Sequence, residues 1–216
     1  MVKVKICGIT KERDLKAAVA AGADLLGFVV GVPRSPRNLP LSKARYLISK
    51  IPKGAGSVAV TVFKTMEELI HIYTELETDY LQLHGSFHHL LESMAEIPPK
   101  SCIIGAVNGK AHDALNLAIK FSGVFQSVLL DTAGDGGLGG TGIAHDWYLS
   151  RRVRDIIYPK HLILAGGLTP ENVGEAIRKV KPHGVDVSSG VEERPGIKDH
   201  EKMFDFVAKA RDAGHE

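Results

Sequence analysis

Eight short apolar runs rich in β-branched residues recur along the 216-residue chain, at residues 2–7, 25–30, 57–62, 80–83, 102–107, 125–130, 161–165 and 184–187. They alternate with longer amphipathic stretches. Near-continuous hydrophobicity, instead of strict polar–apolar alternation, is what a parallel strand needs when both its faces are covered. Eight even strand–helix units, roughly 25–30 residues each, make either a closed (β/α)8 barrel or a long open doubly wound sheet. The evenness of the units and the lack of a linker-like stretch favour the barrel, as a single α/β domain over residues 1–216.

Helix starts fall in the gaps. Thr10 precedes the stretch 11–21, and Pro40 and Ser42 open the stretch to Lys50. Thr65-Met66-Glu67-Glu68 reads as a capping box opening a helix to about Glu77. Thr169-Pro170 places an N-cap before a proline at the first helical position, and Asp199 caps a final helix reaching Ala210. The run Arg151-Arg152-Val153-Arg154 reads as a solvated helix face.

The net charge of +2 excludes the concentrated basic surface of an electrostatic nucleic-acid binder. Two distant cysteines, Cys7 and Cys102, exclude a disulfide framework. The opening Met1-Val2-Lys3-Val4-Lys5 is too polar for a secretory leader, and no apolar run reaches the roughly 18 residues of a membrane span. The expectation is a cytoplasmic protein without membrane or nucleic-acid partners. Its oligomeric state, monomer or homodimer, is left open.

The long loops, 31–40, 131–146 and 188–198, all follow strands, which in a barrel is the active face. Two glycine-bearing segments, Ala165-Gly166-Gly167-Leu168 and Ser188-Ser189-Gly190-Val191-Glu192, follow strands seven and eight. Glycine lets backbone amides approach an anion closely, and barrels recurrently hold a phosphate at this place. Gly139-Gly140-Thr141-Gly142, after strand six, offers further amides, and residues 134–142 are a candidate lid.

Five further side chains are candidates for chemistry. Cys7 ends strand one. A lone cysteine is commonly a small buried hydrophobe, yet this one lies at the catalytic rim, whereas Cys102 begins strand five and reads as structural. Asp131 ends strand six as an acid–base group or an N-cap, and burial there would raise its pKa and keep it protonated, as a general acid needs. Arg37, after strand two, has the planar fork that suits a carboxylate or a phosphate, or is a plain surface arginine. His84 could face the barrel mouth, and Asp186 lies inside strand eight near the substrate or as a loop anchor. His71, His84, His88 and His89 complete no metal-ligand set at a known spacing, so no metal is expected.

These segments together resemble phosphoribosylanthranilate isomerase of tryptophan biosynthesis. The resemblance is carried by Lys5-Ile6-Cys7-Gly8-Ile9-Thr10, Ser35-Pro36-Arg37, Gln82-Leu83-His84-Gly85, Leu130-Asp131, Gly139-Gly140-Thr141-Gly142 with Asp146-Trp147, Leu164-Ala165-Gly166-Gly167-Leu168, and Asp186-Val187-Ser188-Ser189-Gly190-Val191-Glu192 with Pro195-Gly196. It implies a cofactor-free Amadori rearrangement of N-(5′-phosphoribosyl)anthranilate. Cys7 would be the general base, Asp131 the general acid and Arg37 the binder of the anthranilate carboxylate. The substrate would also meet His84, Gly140, Thr141, Gly166, Gly167, Asp186, Ser188, Ser189 and Gly190. Lys5 or strand-end amides are expected to lower the pKa of the Cys7 thiol.

Three places depart from the family pattern: Ser86-Phe87 where an acidic residue often follows the His-Gly pair, Ile143 where lysine is frequent, and Phe63-Lys64-Thr65 after strand three. These changes leave the proposed catalytic pair untouched and bear on the details of the substrate rim. The related isomerase of histidine biosynthesis usually has an aspartate where Cys7 stands. Indole-3-glycerol phosphate synthase would need a lysine–glutamate pattern that is not seen here. A phosphate-ligand sensor on the same scaffold would dispense with the acid–base pair.

Overall fold

A computed structural model of the chain describes residues 1–87, 91, 102–131 and 147–214. All eight apolar runs form strands: β1 (Lys3–Ile6), β2 (Leu25–Val30), β3 (Gly56–Thr61), β4 (Tyr80–Leu83), β5 (Ile103–Asn108), β6 (Ser127–Asp131), β7 (His161–Ala165) and β8 (Gly184–Val187). Each is parallel to its neighbours, and β1 pairs with both β2 and β8, which closes the ring into a barrel. The open-sheet alternative is thereby eliminated.

The apolar pattern is continuous because each strand is buried twice. Alternate side chains point inward, where Cys7, Val29, Val58, Val60, Ile104, Ala106, Leu129, Ile163 and Ala165 fill the barrel. The others point outward into a larger core against the helices, with Ile6, Phe28, Leu83, Leu130 and Val187 among them. Seven helices lie outside among the described residues: α1 (Glu12–Ala21), α2 (Leu41–Ile48), α3 (Met66–Leu76), α4 (Ala114–Val124), α5 (Trp147–Ile157), α6 (Val173–Val180) and α7 (His200–Ala213). None is long and apolar enough to cross a membrane.

Several helix ends differ from the sequence expectation, each for a local reason. Thr65 caps α3 by accepting from the Glu68 amide at 3.3 Å, but Glu68 reaches back to the Lys64 amide instead of closing the box on Thr65. Asp199 caps α7 through the Lys202 amide, as expected. α6 starts at Val173, later than Thr169-Pro170 suggests. Asn172 directs its side chain backward, accepting from the Thr169 amide at 2.8 Å and donating to the Gly167 carbonyl at 2.9 Å, so a turn precedes the helix. Thr10 does not cap α1. Its hydroxyl donates to the Gly196 carbonyl, tying the loop after β1 to the loop after β8.

The basic run in α5 is more than a solvated face. Arg151 and Arg154 donate to the carbonyls of Lys179 and Val180 at the C-terminal end of α6, which have no partner within their own helix.

Two of the departures from the family pattern turn out to be core residues. Phe87 is buried and stacks on Phe121 with ring centroids 4.9 Å apart, and Phe63 lies 5.7 Å from Phe87. Gly105 makes room for this cluster, since a Cβ there would meet Phe121 and Phe125 at 2.9 Å. The expectation that Phe63 and Phe87 shape the substrate rim is therefore corrected. Their rings fill one space outside the barrel. Ile143 lies outside the described residues.

Candidate active site

The site is built where β1 meets its two neighbours. At the end of β1 the chain turns over β2: the amides of Gly8 and Ile9 both donate to the Gly27 carbonyl, at 2.9 and 3.0 Å, and the Cys7 amide donates to Val187 of β8 at 2.8 Å. Gly8 has φ +78°, and a Cβ on it would lie 2.5 Å from Arg37 Cδ and 3.1 Å from Ser188 Oγ. Glycine at this position thus lets the Arg37 side chain, carried by the loop after β2, lie directly over the β1 turn and beside the β8 loop.

Arg37 is held by Glu192, which the sequence placed only at the end of a glycine segment, and Glu192 in turn by Lys198, which had no expected role. Its Nε and Nη2 donate to the two carboxylate oxygens of Glu192, at 2.9 and 2.6 Å. Lys198, itself buried, donates to Glu192 at 2.9 Å and to the Ser188 carbonyl at 3.0 Å. Burial alone would raise the Glu192 pKa, but the Arg37 and Lys198 cations outweigh it and hold the carboxyl below its usual range. Two cations and one anion leave this trio with an excess positive charge. The Nη1 edge of Arg37 takes no part in the Glu192 pair. Glu192 and Lys198 lie on a short antiparallel ribbon, residues 192–194 and 197–198. A carboxylate and a lysine six residues apart on a turn-forming loop were the available signal.

The two glycine segments after β7 and β8 lie against each other. Gly166 and Gly167 have φ +89° and +64°, and residues 189–191 form a single 3-10 turn. A Cβ on Gly190 would run into the Leu168 carbonyl oxygen and lie 3.3 Å from Thr169 Cα. Gly190→Ala is therefore expected to force the segments apart and raise the KM for a phosphorylated substrate by about tenfold, a loss of about 1.4 kcal/mol, in steady-state assays. An unchanged KM would remove these segments from the binding site. Gly140 and Thr141, with the rest of the candidate lid, lie outside the described residues.

His84 ends β4 in the barrel mouth and is half-buried. The Gln82 amide nitrogen lies 2.6 Å from its Nε2, so the ring accepts there and keeps its proton on Nδ1. Turning the amide over would satisfy the buried Gln82 Oε1 with a protonated Nε2, and the ring would again be neutral. Desolvation, with a contribution from Lys5, lowers the His84 pKa to about 4. Between pH 6.5 and about 4 the unfolded chain binds a proton that the folded chain does not. Stability from this group is present above pH 6.5 and is lost as pH falls toward 4, by at most about 3 kcal/mol. His84→Gln should flatten the acid side of a denaturation-versus-pH curve in that window, and an unchanged slope would refute the account.

Cys7 is buried and Asp131 half-buried, at the C-terminal ends of β1 and β6. The ring order places these strands three steps apart through β7 and β8. Burial pushes the Cys7 thiol up, and the Lys5 ammonium only partly offsets this. The expected lowering is thus corrected: the cation is present, but desolvation wins. Asp186 is turned toward Lys5, accepting from its Nζ at 3.0 Å within the barrel. Among the described residues no group of three or more His, Cys, Asp or Glu is arranged to hold a metal ion.

A cavity of about 780 Å³ opens at the other end of the barrel, lined by Lys3, Tyr80, Cys102, Ile104 and the stacked rings of His161 and His183. Its size does not make it the reaction site, because the glycine segments, Arg37, Cys7 and Asp131 all lie at the strands' C-terminal ends. Cys102 belongs to the N-terminal end, as its place at the start of strand five suggested.

Fold and site together define a (β/α)8 barrel with a buried thiol, an ion-paired arginine and paired glycine loops at the C-terminal rim of its strands. The family model of N-(5′-phosphoribosyl)anthranilate isomerase matches residues 4–209. The chain belongs to that family, whose isomerisation is a step of tryptophan biosynthesis.

It is 42% identical over 212 residues to the N-(5′-phosphoribosyl)anthranilate isomerase of Methanothrix thermoacetophila, covering 98% of this chain and 99% of that one. The corresponding protein of Pseudomonas fluorescens is 43% identical over 211 residues, covering 97% and 98%. The crystal structure of phosphoribosyl anthranilate isomerase from Thermotoga maritima superposes with a TM-score of 0.86 at 36% identity, covering 98% of this chain and 100% of that one. Another, in complex with reduced 1-(o-carboxyphenylamino)-1-deoxyribulose 5-phosphate, superposes with a TM-score of 0.83 at 35% identity, with the same coverage.

Proposed function

We propose that the chain, acting as one catalytic unit over residues 1–216, converts N-(5′-phosphoribosyl)anthranilate to 1-(2-carboxyphenylamino)-1-deoxyribulose 5-phosphate. The observation that carries this reading is the convergence of Cys7, Arg37 and the Ser188 loop at the β1 turn, on the same barrel rim as Asp131.

In this reading Asp131 gives a proton to the furanose oxygen. The C1′–O bond breaks while the anthranilate nitrogen lone pair forms a C1′=N double bond. The resulting Schiff base acidifies C2′–H, and the Cys7 thiolate takes that proton. The C–H electrons move toward C1′=N and give an enol, which becomes the C2′ ketone as its O–H proton is lost and C1′ gains one. Atoms and charge balance without a cofactor.

The Nη1 edge of Arg37 receives the anthranilate carboxylate, and the excess positive charge of the Arg37–Glu192–Lys198 trio favours an anion there. Amides of Gly166, Gly167, Ser189 and Gly190, with Ser188 beside them, hold the phosphate. Gly140 and Thr141 supply further amides, and His84 borders the sugar as a neutral group. The partner is a phosphorylated small molecule, the compartment the cytoplasm, and a monomer or homodimer equally serves the chemistry.

The test is the fluorescence of freshly generated phosphoribosylanthranilate on adding protein. A decay well above the spontaneous rate is expected. Saturable binding without accelerated decay would replace this reading with that of a ligand sensor.

A further inference from the structure

Lys5 is among the largest fully buried side chains of the protein, and an ammonium inside a barrel calls for a reason. Its Nζ donates to Asp186 Oδ1 at 3.0 Å, directly across the β1–β8 pairing in which Lys5 and Asp186 are partners. Gly27 of β2 faces both Lys5 and Cys7: a Cβ there would lie 2.9 Å from Cys7 Sγ and 3.1 Å from Lys5 Nζ. One notch therefore holds the thiol and the ammonium side by side. The charged groups around Cys7 are Lys5 on β1, Asp186 on β8, Lys198 on the ribbon and Arg37 on the loop after β2. His84 on β4 faces Lys5 and is neutral.

With the thiol protonated, the Lys5–Asp186–Cys7 cluster has no net charge. Loss of the thiol proton to solvent leaves an anion beside an ammonium that Asp186 already engages. Without Asp186 the same ammonium would pair with the sulfur alone, and the Cys7 thiolate would form more readily but be a weaker base. Abstraction of a proton from carbon gains from basicity, so abundance and strength of the base oppose each other.

We propose that Asp186 is a positioning residue that competes with Cys7 for the Lys5 ammonium and so keeps Cys7 basic enough to take a proton from carbon. This rests on the reading of Cys7 as the base. It moves Asp186 from the substrate to the tuning of that base.

The test titrates the Cβ carbon shift of isotopically labelled Cys7 in full-length protein carrying Cys102→Ser, which leaves one thiol. Asp186→Asn is expected to lower the midpoint by about one pH unit, tenfold in thiolate population near neutral pH, and to lower the limiting kcat on the alkaline plateau, where the thiol is fully ionised and only its basicity counts. Lys5→Met is expected to raise the midpoint, and Lys5→Arg to keep it nearer the parent. Because Lys5→Met leaves a buried carboxylate unpaired, Lys5→Met/Asp186→Leu serves as a second variant, with a midpoint between those of the two single changes, or above that of Asp186→Asn if Lys5→Met does not fold. Midpoints that stay fixed or move in the same direction overturn the proposal, as does a limiting alkaline kcat that is unchanged or higher in Asp186→Asn. The titration needs no turnover, so its failure is distinct from failure of the base assignment, which an active Cys7→Ala enzyme would show.

Discussion

Cys7→Ala should lower kcat by about 10²–10⁴-fold, the usual worth of one positioned acid–base group, while Cys102→Ala stays close to the parent rate. The contrast follows from place. Cys7 sits at the rim beside Lys5 and below Arg37, whereas Cys102 lines the cavity at the far end of the barrel. Removing the Cys7 sulfur leaves Arg37, Glu192 and the glycine loops in position, so KM should move far less than kcat. Cys7→Ser should not restore activity, because a hydroxyl is far harder to deprotonate than a thiol. The pH profile carries the same signature. Burial holds the thiol above its ordinary range, so the thiolate fraction, and kcat/KM with it, should still be rising on the alkaline side of neutrality. Equal losses in the two cysteine variants, measured by the fluorescence decay, would reject the assignment.

Asp131→Asn is expected to cost a comparable 10²–10⁴-fold in kcat. The amide matches the carboxyl in shape but has no proton to give the ring oxygen. The backbone should be indifferent to the change: the Asp131 carbonyl accepts from the Gly109 amide at 2.7 Å, and the strand keeps its register with Asn108 and Ala165. A normal thermal unfolding profile with collapsed kcat would separate a lost proton donor from a lost fold. A variant retaining more than about a tenth of the parent rate would show that another group opens the ring.

The barrel was legible in the sequence because its strands are buried on both faces, which writes an unbroken apolar run at each of the eight positions. Strand boundaries came within two residues, whereas α6 starts three residues after the proline expected at its first position and α7 runs three residues past Ala210. The reactive side chains were legible for a related reason: polar residues such as Cys7 and Asp131, placed where an apolar run stops, stand out against it. What could not be read were interactions that join distant parts of the chain. Nothing local says that the Thr10 hydroxyl turns to Gly196 instead of capping a helix, or that Asn172 folds back onto the glycine segment. The Arg37–Glu192 pair spans 155 residues, and Lys198 meets both the clamp and the phosphate loop. Phe63 and Phe87 were misplaced at the rim because adjacency to a site motif says nothing about which face of the wall a side chain takes. Gly27 drew no notice inside an apolar run, yet its missing side chain lets thiol and ammonium meet.

The closure of β1 between β2 and β8 has a consequence for when the protein becomes an enzyme. Cys7 and Ser188 flank the last gap in the ring, and Lys5 meets a carboxylate 181 residues further along. A nascent chain that ends before Gly184 already carries the thiol and the carboxyl of Asp131, but it has neither the carboxylate that holds Lys5 nor the Ser188 loop that lies beside Arg37. Such distant pairings form slowly because a long loop must close before any contact rewards it. Half-made chains would therefore leave sugar phosphates untouched, and the first turnover would mark the moment when the circle of strands is complete.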